Sequence, residues 1–125
     1  MNEYLNNITF DIIGLSFKVH SALGPGLLEA TYEACLTYEL KKAGYEVSTQ
    51  KSMPVIYEGI KLDIGYRVDL IVDDKVVVEL KAVDAINDVH IAQLLTYMKL
   101  SHISVGLLIN FNVTDLKKGI RRFVL

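Results

Sequence analysis

Apolar residues recur at helical spacing through Ile12, Ile13, Ser16, Phe17, Val19, His20 and Leu23, which predicts a helix over residues 9–23 with Thr9 as its N-cap. Gly24-Pro25-Gly26 breaks that period. A second helix is predicted over 27–43, with Leu28, Tyr32, Cys35, Leu36, Leu40 and Ala43 on its inner stripe. Gly44 suits the position just past its end, where a left-handed backbone is required. From Tyr45 the period shortens toward two. Val55–Tyr57 and Ile60–Leu62 flank Glu58-Gly59, a two-residue hairpin signal. Tyr66–Val72 and Val76–Val83 are strands on either side of Asp73-Asp74, and the Val76-Val77-Val78 run marks the second as central and buried.

Helical spacing returns over 87–100, where Ile91, Leu94, Leu95 and Met98 form the stripe. Val105–Ile109 reads as a buried strand, 114–119 as a turn or short helix with Thr114 as a possible cap, and Ile120–Leu125 as a final edge strand. The expected architecture is α/β, a central mixed sheet flanked by helices, in the order α-α-β-β-β-β-α-β with a possible last β. Tight strand-turn-strand spacing predicts antiparallel pairs, and the strand after the third helix joins in parallel through a crossover. Residues 1–125 read as one domain with one core.

Composition changes this picture little. The chain is 51% hydrophobic and 22% charged, with 2 Pro, 8 Gly and no Trp, a globular profile. Its mean hydropathy of +0.30 suits strands buried on both faces or an apolar surface used in self-association, and a homo-oligomer is expected. No apolar run approaches the roughly 18 residues of a membrane span, and polar Met1–Asn7 is not a secretory signal, so no membrane partner is expected. Cys35 is the only cysteine, which excludes an internal disulfide and suits a reducing cytoplasm. Its mid-helix setting makes it a small core residue rather than a nucleophile. The net charge of -2 argues mildly against a general nucleic-acid binder, although carboxylates that bind metal make a chain look acidic until the metal is counted.

The candidate chemistry lies in the strands. Strand alternation puts Glu79 and Lys81 on one face, opposite Val78 and Leu80. On these two alone, a structural ion pair at the strand's end is the simpler reading. Asp69 alters the balance, because it places a second carboxylate in the neighbouring apolar strand. Two such groups side by side repel unless a cation lies between them, and a hard divalent ion with oxygen ligands removes the conflict. Register decides whether they meet. A strict two-residue turn at Asp73-Asp74 pairs 72 with 75 and turns Asp69 away from Glu79, whereas a three-residue loop at 73–75 or a bulge pairs 69 with 79.

Asp69, then Glu79-Leu80-Lys81 on the next strand, after a helix bearing Glu29, resembles the PD-(D/E)xK nuclease superfamily. Gly26-Leu27-Leu28-Glu29-Ala30-Thr31-Tyr32 resembles, more narrowly, the signature of its GxxExxY family. Val19-His20, Leu23–Gly26, Val78–Ala82, Ala92–Tyr97, Gly106–Phe111 and Gly119–Phe123 are also similar to that family, so the resemblance spans nearly the whole chain. Val68 stands where the superfamily name has proline. The resemblance implies magnesium (or manganese) bound by Asp69 and Glu79, with the Leu80 carbonyl as a further ligand and Glu29 reaching the metal directly or through water. It implies that Lys81 orients the attacking water and stabilises charge on phosphate, and that Gln93 and Tyr97, at i and i+4 on one helix face, contact substrate or hold the site.

Each assignment has a plainer counterpart. Glu29 also suits a helix N-terminus electrostatically, Tyr32 suits the core, and Gln93 with Tyr97 suits a structural pair. His20 and His90 are candidate phosphate contacts, and His102 reads as surface. Lys117, Lys118, Arg121 and Arg122 form a basic cluster able to meet a phosphate backbone or simply to remain solvated. The function expected is magnesium-dependent hydrolysis of DNA or RNA phosphodiesters. Two alternatives stand beside it: a catalytically silent binding or assembly module on the same fold, and a site for a small phosphorylated ligand.

Overall fold

The computed structural model describes residues 3–125; Met1 and Asn2, part of the polar stretch at the start of the chain, lie outside the described residues. Helix α1 runs from Glu3 to Leu23, six residues longer at its start than the pattern predicts. The stripe continues backward through Leu5 and Ile8, which pack with Ile12 into the core. Thr9 is therefore interior and caps nothing; its hydroxyl donates to the Leu5 and Asn6 carbonyls at 3.1 and 3.0 Å. Helix α2 (Glu29–Lys42) buries Tyr32, Leu36 and Leu40, while Leu28 stands outside it and is exposed. It ends as expected at Gly44, whose φ of 97° lets the Tyr45 N–H reach the Leu40 carbonyl (3.1 Å) and its own N–H reach Lys41 (3.0 Å).

Five strands, not four, precede the third helix: β1 (Val47–Ser52), β2 (Val55–Tyr57), β3 (Ile60–Leu62), β4 (Arg67–Val72) and β5 (Val76–Lys81). The extra strand is β1, whose mostly exposed, polar residues give no clear alternation, while β2 and β3 close on Glu58-Gly59 as a separate hairpin outside the main sheet. Helix α3 (Asp88–Ser101), β6 (Val105–Asn110), a single 3-10 turn (Leu116–Gly119) and β7 (Ile120–Val124) follow. Asp115 rather than Thr114 caps the short turn, accepting from the Lys117 N–H at 3.2 Å.

The main sheet has the order β1-β4-β5-β6-β7, antiparallel except for the β5–β6 pair. The valine-rich β5 is central, as its composition predicts. One face packs under α1 and α2 through Leu70, Val72, Val78, Leu80, Leu107 and Ile109. The other packs under α3, where Leu94, Tyr97 and Met98 meet Ile71, Val77 and Leu108. Fully burying each such side chain contributes about 1.5–3 kcal/mol, so a sheet covered on both sides holds its strands firmly. Gly106 lets α3 approach: a Cβ there would lie 2.5 Å from the Met98 sulfur. Among the described residues no helix is long and apolar enough to cross a membrane.

Candidate metal centre

The site begins with the turn between β4 and β5. Asp73 and Asp74 both adopt positive φ (52° and 53°), and the Lys75 N–H donates to the Val72 carbonyl at 3.0 Å. Val72 then pairs with Val76, Ile71 with Val77 and Leu70 with Val78, which is the register of a three-residue loop. One further step along it sets Asp69 level with Glu79. There the main-chain ladder stops and side chains replace it. The Asp69 N–H donates to Glu79 Oε1 at 3.2 Å, and the Leu80 N–H donates to Asp69 Oδ2 at 2.9 Å.

Both carboxylates are buried, at 7% exposure for Asp69 and 3% for Glu79. Burial first, and then the charge of Asp69, push the Glu79 carboxyl from 4.5 up to about 8; the Asp69 N–H and Lys81 act against the rise. Lys81 is the compensating cation nearby. Its Nζ lies 3.9 Å from Glu79 Oε2 and donates to Gln93 Oε1 at 3.3 Å. The Gln93 amide in turn donates to the Tyr97 hydroxyl at 3.0 Å. Burial and the Glu79 charge raise the Tyr97 hydroxyl above its ordinary value, and its ring meets Tyr66 edge-on at 6.4 Å. The i, i+4 pair on α3 thus holds the lysine that β5 supplies.

Glu29 enters from the opposite side as the first residue of α2. The loop before it is set by Gly26, at φ 95°, and by Tyr32. The Tyr32 hydroxyl donates to the Gly24 carbonyl at 2.6 Å and accepts from the Leu27 N–H at 3.1 Å, while its ring stacks on Phe111 at 4.5 Å. The segment Gly26 to Tyr32 therefore acts as a brace that aims Glu29. Burial, Asp69 and a hydrogen bond to the Asp69 side chain raise the Glu29 carboxyl to about 7, with Lys81 opposing.

Three residues that the sequence pattern does not single out also reach the site. Gln50 lies in β1 opposite Asp69 with φ at 49°, and the β1–β4 ladder skips it between Thr49–Leu70 and Lys51–Val68. Its amide donates to Asp69 Oδ1 (3.2 Å) and to both oxygens of Glu33 (2.9 and 3.1 Å). Glu33 is one turn beyond Glu29 on α2, a spacing that was readable; Gln50 sits in an ordinary polar run and carried no signal. Asn110, polar at the end of the buried β6 run, accepts from the Val83 N–H (3.2 Å) and donates to its carbonyl (3.0 Å), fastening the chain just past Lys81.

The remaining candidates lie further out. His20 is buried against Phe111, with Nε2 2.7 Å from the Val113 carbonyl, behind the Tyr32 brace rather than in the site. His90 closes a capping box with Asn87 at the start of α3. Lys117 is exposed on the 3-10 turn. Strand alternation separates the two arginines. Arg121 pairs with Leu108, which pairs with Glu79, so it stands in the same row on the α3 face. Arg122 points to the other face, where it donates to Asn6 of α1 at 3.2 Å. The basic residues of the chain end therefore do not form one patch.

Among the described residues no three His, Cys, Asp or Glu side chains are gathered as a ready-made metal cage. The donors present still suit a hard divalent ion, which uses one or two carboxylates and retains several waters. Asp69, Glu79 and the Leu80 carbonyl form an all-oxygen set, and the rise of the Glu79 carboxyl, caused first by burial and then by the Asp69 charge, is one that a bound cation would offset. In comparisons with known proteins, no curated protein and no solved structure matches the chain. A family model does match, over residues 6–123: that of the PD-(D/E)XK nuclease superfamily.

Proposed function

Because the chain belongs to the PD-(D/E)XK nuclease superfamily, whose members generally use divalent metals, we propose that it hydrolyses phosphodiester bonds of DNA or RNA in the presence of magnesium or manganese. The observation that carries this reading is the cross-strand exchange between Asp69 and Glu79, which keeps two buried carboxylates adjacent with Lys81 at their edge. Within the superfamily, Gly26-Leu27-Leu28-Glu29-Ala30-Thr31-Tyr32 supports membership of the GxxExxY family.

Asp69 and Glu79 would hold the ion, with the Leu80 carbonyl, and with Glu29 directly or through water. When bound, such an ion supplies Lewis acidity and lowers the pKa of a coordinated water. Lys81 places a positive charge where the attacked phosphate gains negative charge. Gln93 and Tyr97 keep that ammonium in position. Without metal, burial and Asp69 raise the Glu29 carboxyl to about 7, and where it reaches the ion through water rather than directly it is suited to accept or return a proton. Arg121, in the row of Glu79, is a candidate phosphate contact; His20, His90, Lys117 and Arg122 act at most from a distance. Lone Cys35 supports a cytoplasmic setting.

Calorimetric titration of magnesium and manganese at pH 8 into wild type and Glu79→Ala tests the centre. Wild type is expected to bind at millimolar metal or tighter, and the variant not at all. In a nuclease assay, Lys81→Ala should retain metal binding and lose roughly 10²-fold or more in rate. Wild type that binds neither metal would sink the proposal. Nucleic-acid affinity that is metal-independent and unchanged in Lys81→Ala would assign the chain to a silent binding module instead.

A further inference from the structure

The β2–β3 hairpin stands outside the main sheet, and its two strands pair only with each other among the described residues. A lone two-stranded hairpin is marginal in water, and this one is apolar. Ile56, Tyr57, Ile60, Leu62 and Ile64 are all exposed. Its two outer edges differ. The two-residue turn makes Tyr57–Ile60 a hydrogen-bonded pair, so Ile56 and Lys61 turn their main-chain N–H and C=O outward. Continuing that alternation, Pro54 faces outward on β2, where it offers no N–H and blunts the edge. On β3 the next outward residue is Asp63, which, unlike proline, keeps its N–H.

We propose that the free edge of β3 pairs antiparallel with β3 of a second copy of this chain, about a two-fold axis at Leu62. The pairing is self-complementary, as a two-fold interface requires. Only outward-facing residues exchange hydrogen bonds across the axis, which leaves three registers. One centred on Lys61 sets lysine against lysine, and one centred on Asp63 sets aspartate against aspartate. Centred on Leu62, Lys61 of each copy faces Asp63 of the other, twice, and those are the hydrogen-bonded pairs. The same register brings Leu62 against its own copy and Ile60 toward Ile64, on the face that also carries Val55 and Tyr57. Within one chain Asp63 Oδ1 accepts from the Gly65 N–H at 3.2 Å and lies 3.6 Å from the exposed Arg67 guanidinium, weak surface contacts that engage one of its two oxygens and leave the other to meet Lys61 of the second copy. The result is a four-stranded sheet shared by two chains. It does not depend on the catalytic proposal.

Light scattering across concentrations up to about 200 μM should give a mass approaching twice 14.0 kDa. Lys61→Asp sets like charges opposite each other at both pairs and should raise the dimer dissociation constant roughly tenfold. Lys61→Asp combined with Asp63→Lys should restore it. Leu62 occupies the close, non-hydrogen-bonded position on the axis, so Leu62→Cys in a Cys35→Ser background should form a covalent dimer under mild oxidation. A monomer at every concentration overturns the proposal. So does a dimer indifferent to Lys61→Asp, or one that the charge swap does not restore. A chain that stays monomeric while Lys61→Asp weakens oligonucleotide binding would give this edge to nucleic acid, and overturns it as well.

Discussion

At Glu79 a carboxyl group is buried beside Asp69, and its proton is held to about pH 8 instead of 4.5. Between those values the metal-free native state binds a proton that the unfolded chain has released, so stability falls as pH rises. The contribution is fully present below about pH 4.5 and is lost as pH passes about 8. Glu29, raised to about 7, acts in the same direction, but it is only partly buried and solvent screening reduces its share. Scanning calorimetry in a chelator should therefore show the wild-type Tm declining from pH 5 to 8. Glu79→Gln, which keeps an oxygen for the Asp69 N–H, should give a flatter profile that lies above wild type at pH 8. Parallel profiles would contradict this origin for the strain. At this scale the identities of Asp69, Glu79 and Lys81 were legible because charges are costly in apolar strands. Gln50 was not, since its role comes from a left-handed backbone at one position of β1, which polar composition does not signal.

Among the elements, α3 shows how packing sets chemistry. It carries Gln93 and Tyr97 to Lys81 and rests on β6 where Gly106 lies beneath Met98. Gly106→Ala forces its new methyl against the Met98 sulfur and should cost about 1–3 kcal/mol in urea denaturation. Met98→Ala leaves a cavity by itself but relieves that clash, so the double variant should lose less than the sum of the two singles. Strict additivity would mean that the two residues do not share the contact. Helix α3 and the central β5 were read correctly from period and composition. Helix α1 was read short, because Asn6 and Asn7 on its outer face masked the earlier turns of the stripe. The hairpin at Glu58-Gly59 was legible as a turn; its separation from the main sheet was not.

For the whole molecule, a ligand that binds only the folded state stabilises it in proportion to the logarithm of its concentration. At a hundredfold excess over the dissociation constant the gain is about 2.7 kcal/mol, or roughly 10 °C in Tm for a chain of this size. Magnesium at pH 8 should produce a shift of that order in wild type and none in Asp69→Asn. The shift should shrink toward pH 5, as protons compete for Glu79. An equal shift in Asp69→Asn would place the metal elsewhere.

The sequence by itself determined the kinds of element, the central place of β5 and the residue types of the candidate site, because periodicity, turn chemistry and the cost of buried charge act locally. Only the tertiary structure decided that Val72 pairs with Val76, that Gln50 and Glu33 close around Asp69, that Arg121 and Arg122 part company, and that the edge of β3 is left open. Each of these depends on how separate segments align. One residue of register reverses the face of every side chain that follows, and no local pattern along the chain fixes that alignment.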